Sequence, residues 1–222
     1  MQTTRLRHRL ERELGDAALA EHAIARLGDE IVERLLTAAG DPETSPLLTY
    51  RPEPHAAEVI DSLWILAFGN RRDSAGETLT PGPVNTALAD AAAAFLAARR
   101  VPVIAQWEVA DVLDARGVGG VISVGPDTGD DGTTIYLSTA GVFEKGRRLA
   151  AEAGIDPGRV GVVAHADHAA RCLLTAAAAG LDAVIPAGIA LPADYDAESD
   201  QPWTRARDAF IPVDLMARTH LG

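Results

Sequence analysis

The chain has 222 residues, a formal net charge of −12 and one cysteine. That length suits one large α/β domain, or a domain with a small helical extension. The acidity argues against nucleic acid as a main partner, since phosphate binding needs clustered cations, and no apolar run approaches bilayer length. The lone Cys172 excludes an internal disulfide and fits a reducing compartment. The expectation is a cytoplasmic protein with no membrane partner, since no apolar signal region follows Arg5, Arg7, His8 and Arg9.

In chain order, residues 4 to 39 carry helical periodicity in two stripes. The first is Leu6, Leu10, Leu14, Ala17 and Ala18; the second is Ile24, Leu27, Ile31, Leu35 and Leu36. Gly28-Asp29 separates two helices, and Gly40-Asp41-Pro42 stops the second. Residues 1–45 therefore read as a helical extension packed on the core, and the proline-rich stretch from Pro42 to Pro54 as a connecting loop. The main domain spans 55–222. Its first strand candidate runs from Val59 to Phe68 and ends in Gly69-Asn70. A Gly/Pro loop leads to a helix from Asn85 or Thr86 to Arg100. A strand from Val101 to Ala105 follows and ends in Gln106-Trp107-Glu108. Then come a short helix, Asp111 to Arg116, a strand, Val121 to Val124, a turn-rich stretch, and a helix from Thr139 to Ala153. The next strand is Val160 to Ala164. It breaks into His165, Asp167, His168 and Arg171, continues as an alanine-rich helix ending at Gly180, and gives way to a strand at Ala183 to Ile185. The last helix runs from Trp203 to Thr219, with Pro212 interrupting it. Strands alternating with helices predict a parallel, helix-covered α/β sheet.

Several familiar devices fail on their spacing. Gly117-Val118-Gly119-Gly120 precedes a strand, so it is a turn and not a dinucleotide fingerprint. Gly141 to Arg147 lacks the pattern of a phosphate loop, and Ser123 in G-V-I-S-V-G would lie inside a strand. Val163 to His168 resembles the H-x-H-x-D-H signature of zinc hydrolases, but Val163 stands where the first histidine belongs, so no bound metal is expected. Cys172 opens an apolar stretch and reads as a small core residue.

What remains is polar residues at strand ends, where open α/β sheets bind ligands. Asp167 is placed to cap the helix that follows it. His168 and Arg171 share one face of its first turn. One cleft is expected to gather Gly69, Asn70, Gln106, Trp107, Glu108, Thr139, His165, Asp167, His168 and Arg171. Gly69 would let the backbone approach a ligand, and Arg171 with a helix amino terminus would hold its negative group. His168 is the acid–base candidate, Glu108 the second carboxylate, and Trp107 a stacking surface or packing residue. If Arg171 holds the ligand's anionic group, removing it should weaken ligand binding and leave the melting temperature nearly unchanged, since a partly exposed Arg–Asp pair contributes little; a structural Arg171 predicts a lower melting temperature with affinity intact.

Three blocks carry a resemblance to the ElyC/SanA/YdcF family. The first is the strand from Trp64 to Gly69-Asn70. The second is Leu137 to Glu144, which retains Ser138-Thr139 of the family's S-x-N-T-x-E-N but lacks the asparagines. The third is His168-Ala169-Ala170-Arg171, similar to the family's H-M-x-R. The polar tail from Asp196 to Arg205 is also similar. The resemblance spans roughly residues 60 to 215, and it implies a Rossmann-like, three-layer α/β/α domain with a charged cleft. For soluble members it implies a nucleotide-like ligand such as S-adenosylmethionine. The expectation is thus a small-molecule enzyme taking an anionic or nucleoside-type ligand by group transfer or hydrolysis. A non-catalytic ligand-binding or regulatory module and a zinc-dependent hydrolase are the alternatives, and a homo-oligomer is compatible with either.

Overall fold

The computed structural model describes residues 1–131 and 133–221. Two helices open the chain, α1 (Gln2–Leu14) and α2 (Ala17–Ala39). Gly28 adopts φ 72° and ψ 167° inside α2, so two helical segments meet there at a kink that glycine tolerates. Asp16 caps the first segment by accepting the Leu19 amide.

The strands and helices of the main domain then alternate. They are β1 (Pro54–His55), β2 (Ser62–Ile65), the hairpin β3 (Arg71–Arg72) and β4 (Leu79–Thr80), α3 (Gly82–Ala98), β5 (Val103–Gln106) and α4 (Trp107–Ala115). Next come β6 (Val121–Val124), the hairpin β7 (Asp127–Thr128) and β8 (Thr134–Ile135), and α5 (Thr139–Glu152). The chain closes with β9 (Arg159–Val163), α6 (Ala166–Ala178), β10 (Asp182–Pro186) and α7 (Arg207–Arg218).

Six strands form one sheet in the order β1-β10-β9-β2-β5-β6, with every pairing parallel. The register Leu63↔Val103 and Leu63↔Gly161 places β2 at the centre. Side chains alternate across it. Leu63 and Ile65 join a core with α1, α2, α3, α4 and α7, while Trp64 and Leu66 join a second core with α5 and α6. The architecture is a three-layer, Rossmann-like α/β/α fold, and no helix among the described residues is long and apolar enough to cross a membrane.

Three sequence expectations are corrected. The first strand is Ser62–Ile65, shorter than its apolar run, because Val59 lies in a 3₁₀ turn and Phe68 has already left the sheet. The presumed loop up to Pro54 ends in an edge strand. There Pro54, which has no amide to give, is tolerated because only one side is paired. Pro212 does not break the last helix, which continues from Arg207 to Arg218.

Chain order and spatial order together define a switch point. From β2 the chain moves outward to β5 and β6, then crosses back to β9 on the other side. Ligands of doubly wound sheets bind outside the carboxyl ends of the two strands flanking such a reversal, here β2 and β9.

Gly146 on α5 tests the packing beneath. A Cβ there would come within 2.6 Å of Trp64 Cζ3, and Trp64 is buried and stacked on Phe143 at 5.6 Å. Alanine would gain up to ~1 kcal/mol in helix propensity but overpack a fixed indole, which costs about 1–3 kcal/mol. Gly146→Ala is therefore expected to lower stability in urea unfolding. An unchanged or higher midpoint would show that the two layers can separate without cost.

Candidate functional site

The cavity at the switch point begins with how the end of β2 is held. Asn85, buried on α3, accepts the Phe68 amide at 2.9 Å and donates to the Gly69 carbonyl at 2.7 Å. Gln106 accepts the Ala67 amide at 3.1 Å from the neighbouring strand end. Gly69 has φ +70°, and a Cβ there would meet Ser199 Oγ and Thr204 Oγ1, each at 2.6 Å. The space next to Gly69 thus belongs to the 194–205 segment, and its lack of a side chain serves that packing rather than the approach of a ligand.

Above this floor lies a cavity of about 420 Å³. Of the residues expected from sequence, Gly69, Gln106, Glu108, Thr139, His168 and Arg171 line it. Asn70 stands behind the wall and donates from Nδ2 to the hydroxyl of Tyr136, which does line it, at 2.7 Å. Trp107 lines a separate narrow crevice with Val124, Gly125 and Pro126, so it offers no stacking surface in the cavity.

Glu108 sits in the first turn of α4, is 1% exposed, and its Oε2 has no partner among the described residues. Burial pushes its carboxyl up to about 7, against the pull of a hydrogen bond from Asn70. His168 is 5% exposed and its Nδ1 is likewise unpartnered. Burial first, and the Arg171 charge second, press its pKa well below the usual range, so the imidazole is neutral at pH 7. Two buried proton-carrying groups, each with one unpartnered atom among the described residues, therefore border one cavity.

Arg171 supplies the cation. Its Nε donates to Asp214 Oδ1 at 2.5 Å and its Nη1 to Thr139 Oγ1 at 2.9 Å. Its Nη2 has no hydrogen-bond partner among the described residues. Thr139 is the first residue of α5, whose cap Ser138 accepts the Gly141 amide at 3.2 Å and also lines the cavity. The positive end of that helix therefore lies beside the guanidinium.

His165 and Asp167 are not in the cavity. His165 is fully buried, stacked on Phe68 at a centroid distance of 4.0 Å. Its Nε2 lies 3.2 Å from the Asp194 carbonyl, to which it donates, and its Nδ1 accepts the Asp167 amide at 3.3 Å. The cap of α6 is therefore His165, where Asp167 was expected. Burial dominates in lowering the His165 pKa and keeps the ring neutral. The Asp167 carboxylate takes both Arg207 donors, at 2.8 and 2.9 Å, and the Tyr195 hydroxyl at 2.7 Å. Burial would raise its pKa, but these donors outweigh it and hold the carboxyl below the ordinary range. Its partner is thus Arg207, not Arg171. Among the described residues no group of three or more His, Cys, Asp or Glu side chains is placed to hold a metal ion.

The sequence reading missed Asp214. This fully buried carboxylate receives Arg171, Arg218 Nε at 2.7 Å and the Tyr50 hydroxyl at 2.9 Å. The signal was present: Asp214 and Arg218 share the apolar stripe of α7 with Ile211 and Leu215. No protein-family model matches the chain, and no curated protein or solved structure matches it either.

Two measurements follow. Arg171→Ala is expected to lower stability by about 1–3 kcal/mol, contrary to the sequence expectation. It strips one partner from a buried carboxylate that keeps two others, so the loss falls short of that for a fully orphaned charge. An unchanged melting temperature would contradict this.

The second concerns pH. Below about 4.5, Glu108 is protonated in both folded and unfolded chains. As pH rises towards 7 only the unfolded chain ionises, so the native state loses up to roughly 3 kcal/mol across that window. The stability difference between wild type and Glu108→Gln should shift against wild type from pH 4.5 to 8. A difference constant with pH would show that Glu108 ionises normally.

Proposed function

We propose that this chain is a small-molecule enzyme that binds an anionic ligand at the switch point and acts on it by group transfer or hydrolysis. The single observation that carries the reading is the unpartnered Oε2 of Glu108, buried and bordering the same cavity as His168 and Arg171. A carboxyl kept near neutrality suits proton transfer in either direction. The neutral imidazole of His168 accepts a proton at one nitrogen and donates from the other. Arg171 and the amino terminus of α5 complement negative charge on the ligand. The resemblance to the ElyC/SanA/YdcF family favours a nucleotide-like ligand.

S-adenosylmethionine fits the polar groups present. Glu108, just beyond β5, the neighbour of β2, would take ribose hydroxyls, as an acidic residue does in doubly wound folds. Arg171 Nη2 would take the ligand's carboxylate. When bound, that cofactor supplies a transferable methyl group, while Glu108 and His168 hold or move the acceptor's proton.

Calorimetric titration with S-adenosylmethionine, adenosine monophosphate and methyl phosphate tests the reading. Saturable binding of at least one is expected. Arg171→Lys, which keeps the charge but loses the planar fork, should weaken it by about tenfold. The absence of binding to all three, or affinity untouched by both Arg171→Lys and Glu108→Gln, would overturn it.

A further inference from the structure

A second concavity, also about 420 Å³, lies between α2 and α7. It begins at the Gly28 kink, with Leu27 and Ile31 on one wall and Pro212 and Met216 on the other. Trp203 and Val213 line both this groove and the polar cavity. They are not a sealed partition: Trp203 is 45% and Val213 36% exposed, and Met216 is 43% exposed. Three exposed apolar side chains thus line the groove, and two of them also line the cavity. Apolar surface gathered this way marks a binding surface.

The chemistry of the groove narrows its occupant. Its one charged side chain is Arg26, and two of its lining residues are prolines, which have no amide hydrogen. A base or sugar would lose its water hydrogen bonds there with few replacements. An aliphatic chain loses nothing and gains burial.

We propose that the ligand is an amphiphile. Its anionic head lies at Arg171 and Thr139, and its aliphatic tail crosses Trp203 and Val213 into the groove between α2 and α7. The proposal rests on the reading of the polar cavity as an anion site, and gives Arg171 to an amphiphile in place of S-adenosylmethionine. The concave form, and the continuity with the cavity through shared residues, favour a tail of the same ligand over a protein partner.

Titration with methyl, butyl and octyl phosphate, and with octanol, tests it. Affinity should rise up to about fourfold per methylene from butyl to octyl phosphate, and octanol should bind far more weakly than octyl phosphate. Met216→Glu, at an exposed position, should remove the gain of octyl over butyl phosphate and leave methyl phosphate unaffected, whereas Met216→Leu should preserve the gain. Methyl phosphate binding with no gain for longer chains would overturn the amphiphile and leave the anion site standing. Octanol binding as well as octyl phosphate would overturn the joined head-and-tail site. A gain untouched by Met216→Glu would place the tail elsewhere and overturn the groove. If none of the alkyl phosphates binds, this inference fails, whereas the reading of the cavity fails only if S-adenosylmethionine and adenosine monophosphate do not bind either.

Discussion

The Asp214 carboxylate is the constraint on which the candidate site depends. A charge with no exposed surface is costly to bury, and it persists only where donors surround it. Here Arg171 comes from α6, Arg218 from α7 itself, and Tyr50 from the segment before the sheet. Arg218, also fully buried, reaches on to the carbonyls of Leu47 and Thr49, and its guanidinium stacks 4.0 Å over the Tyr50 ring. The cation of the cavity is thus fixed through one carboxylate to α7 and to the segment between α2 and β1. The helical pair shares an apolar core with β2 and β5, so it completes the structure that aims Arg171.

A second ion pair works alongside it. Asp167 and Arg207 join the start of α6 to the start of α7, and Arg207 also donates to the Leu14 carbonyl at the end of α1. Polar groups next to one another in sequence therefore do opposite jobs. Asp167 is consumed in holding helices together, whereas His168, one residue on, keeps an Nδ1 with no partner among the described residues. Arg171 does both, structural at Nε and without a hydrogen-bond partner at Nη2 among the described residues. A cation held rigidly costs little further ordering when an anion arrives.

Much of the fold was legible in the sequence because strands buried on both faces read as continuous apolar runs and helices as alanine-rich periodic ones. The strand at Val121–Val124 is the same in sequence and structure. Boundaries slipped where an apolar residue served a turn, as Val59 does, and Pro54 concealed an edge strand. Glu108, Thr139, His168 and Arg171 could be placed together because parallel strands all end on one side. The fates of His165 and Asp167 could not, because they depend on Tyr195, Asp194 and Arg207, which lie 28 to 40 residues further on. Tyr50 and Asp214 are 164 positions apart, beyond any periodicity.

That separation also has a consequence in time. β2 pairs with β9 across most of the domain, and the sheet cannot close around its centre until the β6-to-β9 crossover has been made. Non-local pairing of this kind slows folding, because loop-closure entropy is spent before contacts repay it. On the ribosome, β2, β5 and β6 emerge with the β9 side of β2 uncovered until β9 itself is made. Arg171 then emerges before the carboxylate that positions it. Every strand of the sheet emerges before α7, which carries that carboxylate.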